Sequence, residues 1–150
     1  MRLVPGRGLR IASALLMGGA GLSHFTRVRT RLVDEACLRA ALSRAGYAVP
    51  AGRAVIGGWL GDSREVDVGI PDLVDGYGIG FEWDRESFAA VADWSELAHR
   101  GVRRGEFVDR VSQAYGIEAT LSSMQPQGFA VAEQSTLADG SVRIVMRRVV

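Results

Sequence analysis

The 150-residue sequence contains no lysine and no asparagine; all eighteen of its basic side chains are arginine. Both missing residues have codons beginning AA, so the gap reads as GC-biased coding. Its chemical consequence is definite all the same. A Schiff-base lysine, a P-loop lysine and a lysine general base are excluded. A single cysteine cannot close an internal disulfide, which fits a reducing compartment. There is no C-x-x-C pair and no H-E-x-x-H run. His24, His99 and Cys37 alone are too few nitrogen and sulfur ligands for a closed zinc site without carboxylates. No metal and no cofactor is implied. Net charge is only +1 at pH 7, so nothing global points to nucleic acid or an anionic membrane. No apolar run reaches the roughly 20 residues of a membrane helix. What is present, 47 % hydrophobic and 23 % charged residues, is ordinary for a globular chain. A chain of this length buries roughly 70 % of its unfolded surface without a disulfide or metal staple.

Residues 1–22 differ from the rest. They carry Arg2, Arg7 and Arg10, no acid, and an apolar and small-residue run from Ile11 to Leu22. Three readings compete: a glycine-rich signal peptide, which would export the protein; a genuine extension; and a misassigned start codon. The third is favoured. CTG and TTG leucine codons can initiate in bacteria, Leu22 stands just before Ser23-His24-Phe25, and Gly18-Gly19 can be encoded by a purine-rich ribosome-binding stretch. On that reading residues 1–22 are a non-domain extension, absent from the natural protein or disordered, and 23–150 form one domain. Fifteen arginines against seventeen acids then leave it at −2.

Within 23–150, Phe25–Leu32 alternates, with Thr26, Val28, Thr30 and Leu32 on one face and Arg27, Arg29 and Arg31 on the other, which predicts a half-buried strand. Asp34 can cap a helix with apolar positions Leu38, Ala41, Leu42 and Ala45, ended by Gly46. Strands are expected over Arg53–Leu60, over Arg64–Ile70 up to Pro71, over Tyr77–Trp83, and over Ser87–Val91 as the return of a hairpin. A short helix fits Trp94–His99. A longer one starts at Gly105, weakened in the middle by Gly116. Phe129–Gln134 and Ser141–Arg148 flank Asp139-Gly140, a tight-turn pair. The expected fold is α+β: a largely antiparallel sheet with two main helices packed on one face, in the order β-α-β-β-β-β-α-β-β.

His24 has the chemistry of a ligand or proton carrier near neutral pH; the plainer expectation is packing at a strand start. Arg27, Arg29 and Arg31 form a basic ladder able to grip phosphate or an acidic partner; the plainer expectation pairs them with Glu65 and Asp67, which alternate in the same way. Gly76, Gly78 and Gly80 alternate with Tyr77 and Ile79 inside a strand rather than at a strand-to-helix turn. That argues against a phosphate loop and for another backbone approaching one face. Tyr77, Phe81 and Trp83 are then expected in the core. Cys37 sits near an apolar stripe and is expected to be a buried thiol. Ser23 would be an N-terminal nucleophile only after start processing. Glu82, Asp93 and Glu133 can act together only if the fold gathers them.

Ser23-His24-Phe25, Val28-Arg29-Thr30-Arg31, Leu38–Leu42 with Gly46-Tyr47, Gly76–Trp83, Val91-Ala92-Asp93, Val108–Tyr115, Gln127-Gly128-Phe129, Glu133 and Asp139–Val145 occur in an order that resembles the hypothetical chloroplast reading frame 35 family, domain-of-unknown-function family 1257. The resemblance covers most of residues 23–150 and is weakest over 50–63. It implies an uncharacterised cyanobacterial and plastid-like protein with no known reaction, encoded near a ferredoxin-like protein or an AAA-type ATPase. The expectation is a small cytoplasmic, non-catalytic interaction module, or a subunit of an ATPase- or redox-associated assembly, with a protein partner and not a nucleic acid. The alternative is a small-molecule or anion-binding protein using His24, Arg27, Arg29 and Arg31.

Overall fold

Alternation in the sequence becomes a layered sheet in the computed structural model, which describes residues 24–149 and, for backbone alone, Arg2–Leu3 and Ile11–Ala12. The strands are β1 (Arg2–Leu3), β2 (Ile11–Ala12), β3 (Thr26–Arg29), β4 (Ala54–Gly57), β5 (Ser63–Val66), β6 (Val68–Val74), β7 (Tyr77–Asp84), β8 (Ser87–Ala92), β9 (Phe129–Thr136) and β10 (Val142–Arg148). The helices are α1 (Glu35–Arg44), α2 (Trp94–His99) and α3 (Arg104–Met124). Apart from the two short pairings that β1 and β2 make, the expectation for residues 1–22 lies outside the described residues.

The central sheet is antiparallel, in the order β2-β3-β8-β7-β6. One face carries Val28, Val68, Ile70, Ile79, Phe81, Ala90 and Ala92, all buried against Leu38 and Leu42 of α1, Trp94 and Leu97 of α2, and Phe107, Val108 and Val111 of α3. This is the expected α+β arrangement. α1 begins where Asp34 accepts a hydrogen bond from the Cys37 amide at 2.8 Å. The Tyr115 hydroxyl accepts from the amides of Val33 and Asp34, fastening α3 to that start. Gly116 does not divide α3, which runs unbroken for 21 residues because Ala114 and Ile117 beside it are buried.

The other face of the sheet is bare at Gly69, Gly78 and Gly80, and the β4–β5 hairpin lies on it. A Cβ at Gly80 would stand 2.5 Å from Cγ1 and 2.6 Å from Cγ2 of Val66. At Gly78 it would meet Cβ of Ile56 at 3.0 Å and the Ile70 carbonyl at 2.5 Å. The alternating glycines therefore serve the close approach expected of them, and the approaching backbone is a hairpin. Phe25, Ala54, Ile56, Val66 and Val91 form the small core between the two layers.

Three expectations are corrected. Arg64–Ile70 is not one strand. The chain leaves the hairpin layer after Val66 and joins the sheet at Val68, so Asp67 is the crossing point. Its amide donates to the Phe81 carbonyl, its carboxylate accepts from the Trp83 amide at 2.8 Å, and the Arg39 guanidinium bonds its carbonyl. Pro71 does not end β6, because β6 is an edge strand with an irregular register between Ile70 and Val74. Trp83 is not core. It lies beside the β7–β8 turn, 47 % exposed, edge-on to Phe88.

The third sheet has the order β1-β10-β9. Val142 and Ile144 of β10 pack on Ile117 of α3. Nearly all of β9 is exposed.

Candidate functional site

The expected site residues do not converge. His24 is exposed just before β3, and its ring meets the Trp59 indole edge-on at 4.8 Å. Arg31 lies beyond the other end of β3, seven residues and so about 20 Å of extended chain away. Two clefts lined by described residues, one beside Tyr47 and Phe107 and one beside Met124 and Met146, include neither His24 nor any of the three arginines.

Arg27 is held down. Its Nε lies 3.4 Å from Glu82 and its guanidinium 3.8 Å from Asp84, while Glu82 receives a two-pronged bond from Arg64 at 2.6 and 3.0 Å. The expected partners Glu65 and Asp67 are engaged by Arg53 instead, at 2.7 and 2.5 Å. The reason is sheet order: β8 and β7 lie beside β3, so the face of Arg27 meets Glu82, whereas β5 lies in the hairpin layer. Arg29 and Arg31 are exposed and have no acidic partner among the described residues.

A more constructed feature lies beside His24. The β4–β5 hairpin turns through Gly58-Trp59-Leu60-Gly61, closed by the Gly58 amide donating to the Asp62 carbonyl at 2.8 Å and the Asp62 amide to the Trp59 carbonyl at 3.0 Å. Gly58 rests on the buried Phe25 ring; a Cβ there would stand 2.7 Å from Cζ. Asp93, only 1 % exposed, clamps the loop. One carboxylate oxygen accepts from the Trp59 amide at 3.1 Å, and the other caps α2 through the Glu96 amide at 3.3 Å. The apex is apolar and faces solvent: Trp59 is 41 % and Leu60 80 % exposed. Leu60 adopts φ 53°, ψ 38°, a left-handed conformation that a bulky side chain occupies only under constraint. The bracket of Gly57-Gly58 and Gly61-Asp62 is the sequence signal that marks this turn; reading Arg53–Leu60 as one strand hides it.

The remaining candidates stay apart. Glu82 serves two arginines, Asp93 caps a helix, and Glu133 lies on exposed β9. Among the described residues no group of three or more His, Cys, Asp or Glu side chains is placed to hold a metal ion. Ser23 lies outside the described residues. Cys37 is buried, and desolvation raises its thiol above the ordinary value; a Ser122 hydrogen bond opposes the shift and Asp34 adds to it. Among the described residues no helix is long and apolar enough to cross a membrane.

Comparison with known proteins agrees with the resemblance. The chain is 28 % identical over 127 residues to "Uncharacterized protein ycf35" of Pyropia yezoensis, covering 85 % of this chain and 98 % of that protein. It is 27 % identical over 127 residues to the protein of the same name from Cyanophora paradoxa, with the same coverage. No solved structure matches. The family profile described as "Protein of unknown function (DUF1257)" matches residues 41–145, most of the chain, and the protein belongs to that family.

Proposed function

We propose that the protein is a non-catalytic interaction module of the cytoplasm that docks on a protein partner through the Trp59–Leu60 apex. The observation that carries this reading is Leu60: a large apolar side chain, 80 % exposed, in a left-handed conformation. Folding alone favours glycine or asparagine there. An apolar side chain kept exposed at a conformational cost is what a contact residue needs. The anchor lies in segments that resemble the family, at Phe25 and Asp93, while the apex lies in the stretch that resembles it least. Membership of an ATPase- or redox-associated assembly is the wider setting this reading allows.

The test is affinity capture from the native host with the full chain and with Leu60→Asn. A partner held stoichiometrically by the wild type and lost by the variant supports the reading. The same partner held equally by both overturns it.

A second reading rests on Arg29 and Arg31, exposed and without acidic partners among the described residues. They are free to take an anion, with His24 and Arg27 too far or too occupied to share it. Titration with inorganic pyrophosphate, followed by amide shifts at residues 27–31, tests this; shifts that Arg29→Ala and Arg31→Ala leave unchanged refute it.

A further inference from the structure

The cleft beside Tyr47 and Phe107, about 270 Å³, opens where the ends of α1 and α2 meet the first turns of α3. Two of its walls are built by the same local device. Gly46 follows α1 at φ 94° and Gly101 follows α2 at φ 83°, left-handed turns that glycine makes freely. In each case the next residue folds back on its helix. The Tyr47 amide donates to the Leu42 carbonyl at 3.0 Å, and the Val102 amide to the Leu97 carbonyl at 2.9 Å. Tyr47 and Val102 are thereby set on the core without being closed over, and both stay half-buried. Leu73, also half-buried, comes from the irregular stretch of edge strand β6, and buried Phe107 lies beneath.

The lining has two chemistries. Tyr47 and Phe107 make an aromatic wall, ring centroids 5.4 Å apart and planes tilted by 56°, on which a further ring packs well. The α3 side is charged. Arg103, Glu106 and Arg110 lie at i, i+3 and i+7 on one face of the helix, about 10 Å from first to last along its axis. Glu106 stands 3.6 Å from Arg103. Arg110 is exposed without an acidic partner among the described residues, and the Tyr47 hydroxyl has no hydrogen bond among them. Two arginines against one glutamate leave the lining at +1.

A ring-lined apolar cleft with one uncompensated positive charge matches a ligand with a flat apolar body and a single negative charge. Size narrows the class. Ligand clefts span about 300–1,000 Å³, so this one suits a single ring with a short acidic arm. We propose that the cleft binds a small aromatic monocarboxylate, its ring against Tyr47 and Phe107 and its carboxylate on Arg110. Glu106 tunes the choice: by holding Arg103 it leaves Arg110 to the carboxylate, which favours a ligand of one charge over one of two. The site shares no residue with the Trp59–Leu60 apex or with Arg29 and Arg31, and it rests on neither reading.

The probe is para-fluorophenylacetate, titrated into the full chain at low salt and followed by fluorine NMR of the ligand and amide shifts of the protein. The expected result is saturable binding with amide shifts at Tyr47, Leu73 and residues 101–110. Neutral para-fluorophenylacetamide, of the same shape, is expected to bind about tenfold more weakly, and so is acetate, which lacks the ring. Arg110→Gln should weaken binding of the aromatic acid about three- to tenfold. Glu106→Gln should tighten it about two- to fivefold, because it frees Arg103. Both positions are exposed, so both variants are expected to fold, and the opposite signs separate a charge effect from a general loss of structure. The proposal is overturned by any of five results: equal binding of the acid and the amide; acetate binding as tightly as the aromatic acid; affinity that Arg110→Gln and Glu106→Gln leave unchanged; amide shifts confined to residues 27–31 or 58–62; or no saturable binding at millimolar probe.

Discussion

Replacing Leu60 by asparagine separates folding from docking. The left-handed backbone at Leu60, φ 53° and ψ 38°, costs a side chain with a Cβ roughly 1–2 kcal/mol, and asparagine relieves much of this. Against that stands the lost burial of leucine. The side chain is 80 % exposed, so about a fifth of the ~2–3 kcal/mol for full burial is at stake, near 0.5 kcal/mol. The balance favours the variant by about 0.5–1.5 kcal/mol, which raises the melting temperature of a chain this size by about 1–6 °C. Calorimetry, with urea unfolding at an unchanged slope, reads the effect directly. The variant is expected to be more stable and unable to hold its partner, the trade a contact residue makes. A fall in melting temperature would refute the reasoning, because Leu60 would then be held in place by packing that its exposure denies.

Gly80→Ala drives a methyl into fully buried Val66, with approach distances of 2.5–2.7 Å to three of its atoms, and should cost about 2–3 kcal/mol. Adding Val66→Ala should relieve the clash, so that urea unfolding of the pair shows non-additivity above about 1 kcal/mol. Asp93→Ala removes the α2 cap and the acceptor of the Trp59 amide together and should cost about 2–4 kcal/mol in thermal or chemical unfolding. Cys37 has its thiol raised chiefly by burial, so the folded chain binds that proton more tightly than the unfolded one. Its contribution is complete below the unfolded thiol's range and is lost as pH rises past roughly 8.5, so the stability gap between wild type and Cys37→Ala should narrow on the alkaline side. Unfolding free energies measured from neutral to alkaline pH check this, and a gap that widens refutes it.

What the sequence makes legible is local. The Asp34 cap, the stripe of Leu38, Ala41 and Leu42, and the Asp139-Gly140 turn each state their structure within a few residues, and each is realised. The glycines at 78 and 80 announce a close approach, yet not what approaches, because the β4–β5 hairpin is brought there by Phe25, Ile56 and Val66 from three separate segments. The partner of Arg27 is illegible for the same reason. Alternation shows that Glu65 and Asp67 share its period, but only the order of strands in space decides that Glu82 is its neighbour. Asp67 looks like the interior of a strand and is a crossing between layers, a role set by its four bonded groups and not by periodicity. The exposed apex at Trp59–Leu60 contradicts the hydrophobic pattern around it. Local rules are expected to fail at a site kept for contact.

Photo-crosslinking from position 60 tests the docking claim most directly. A photoreactive phenylalanine analogue at position 60, in the full chain expressed in the native host, reports what touches the apex. The same analogue at exposed Glu86, on the β7–β8 turn, serves as the comparison. The account predicts one discrete protein adduct from position 60 and none from position 86. Absence of any adduct at 60, or the same adduct from both positions, would contradict it.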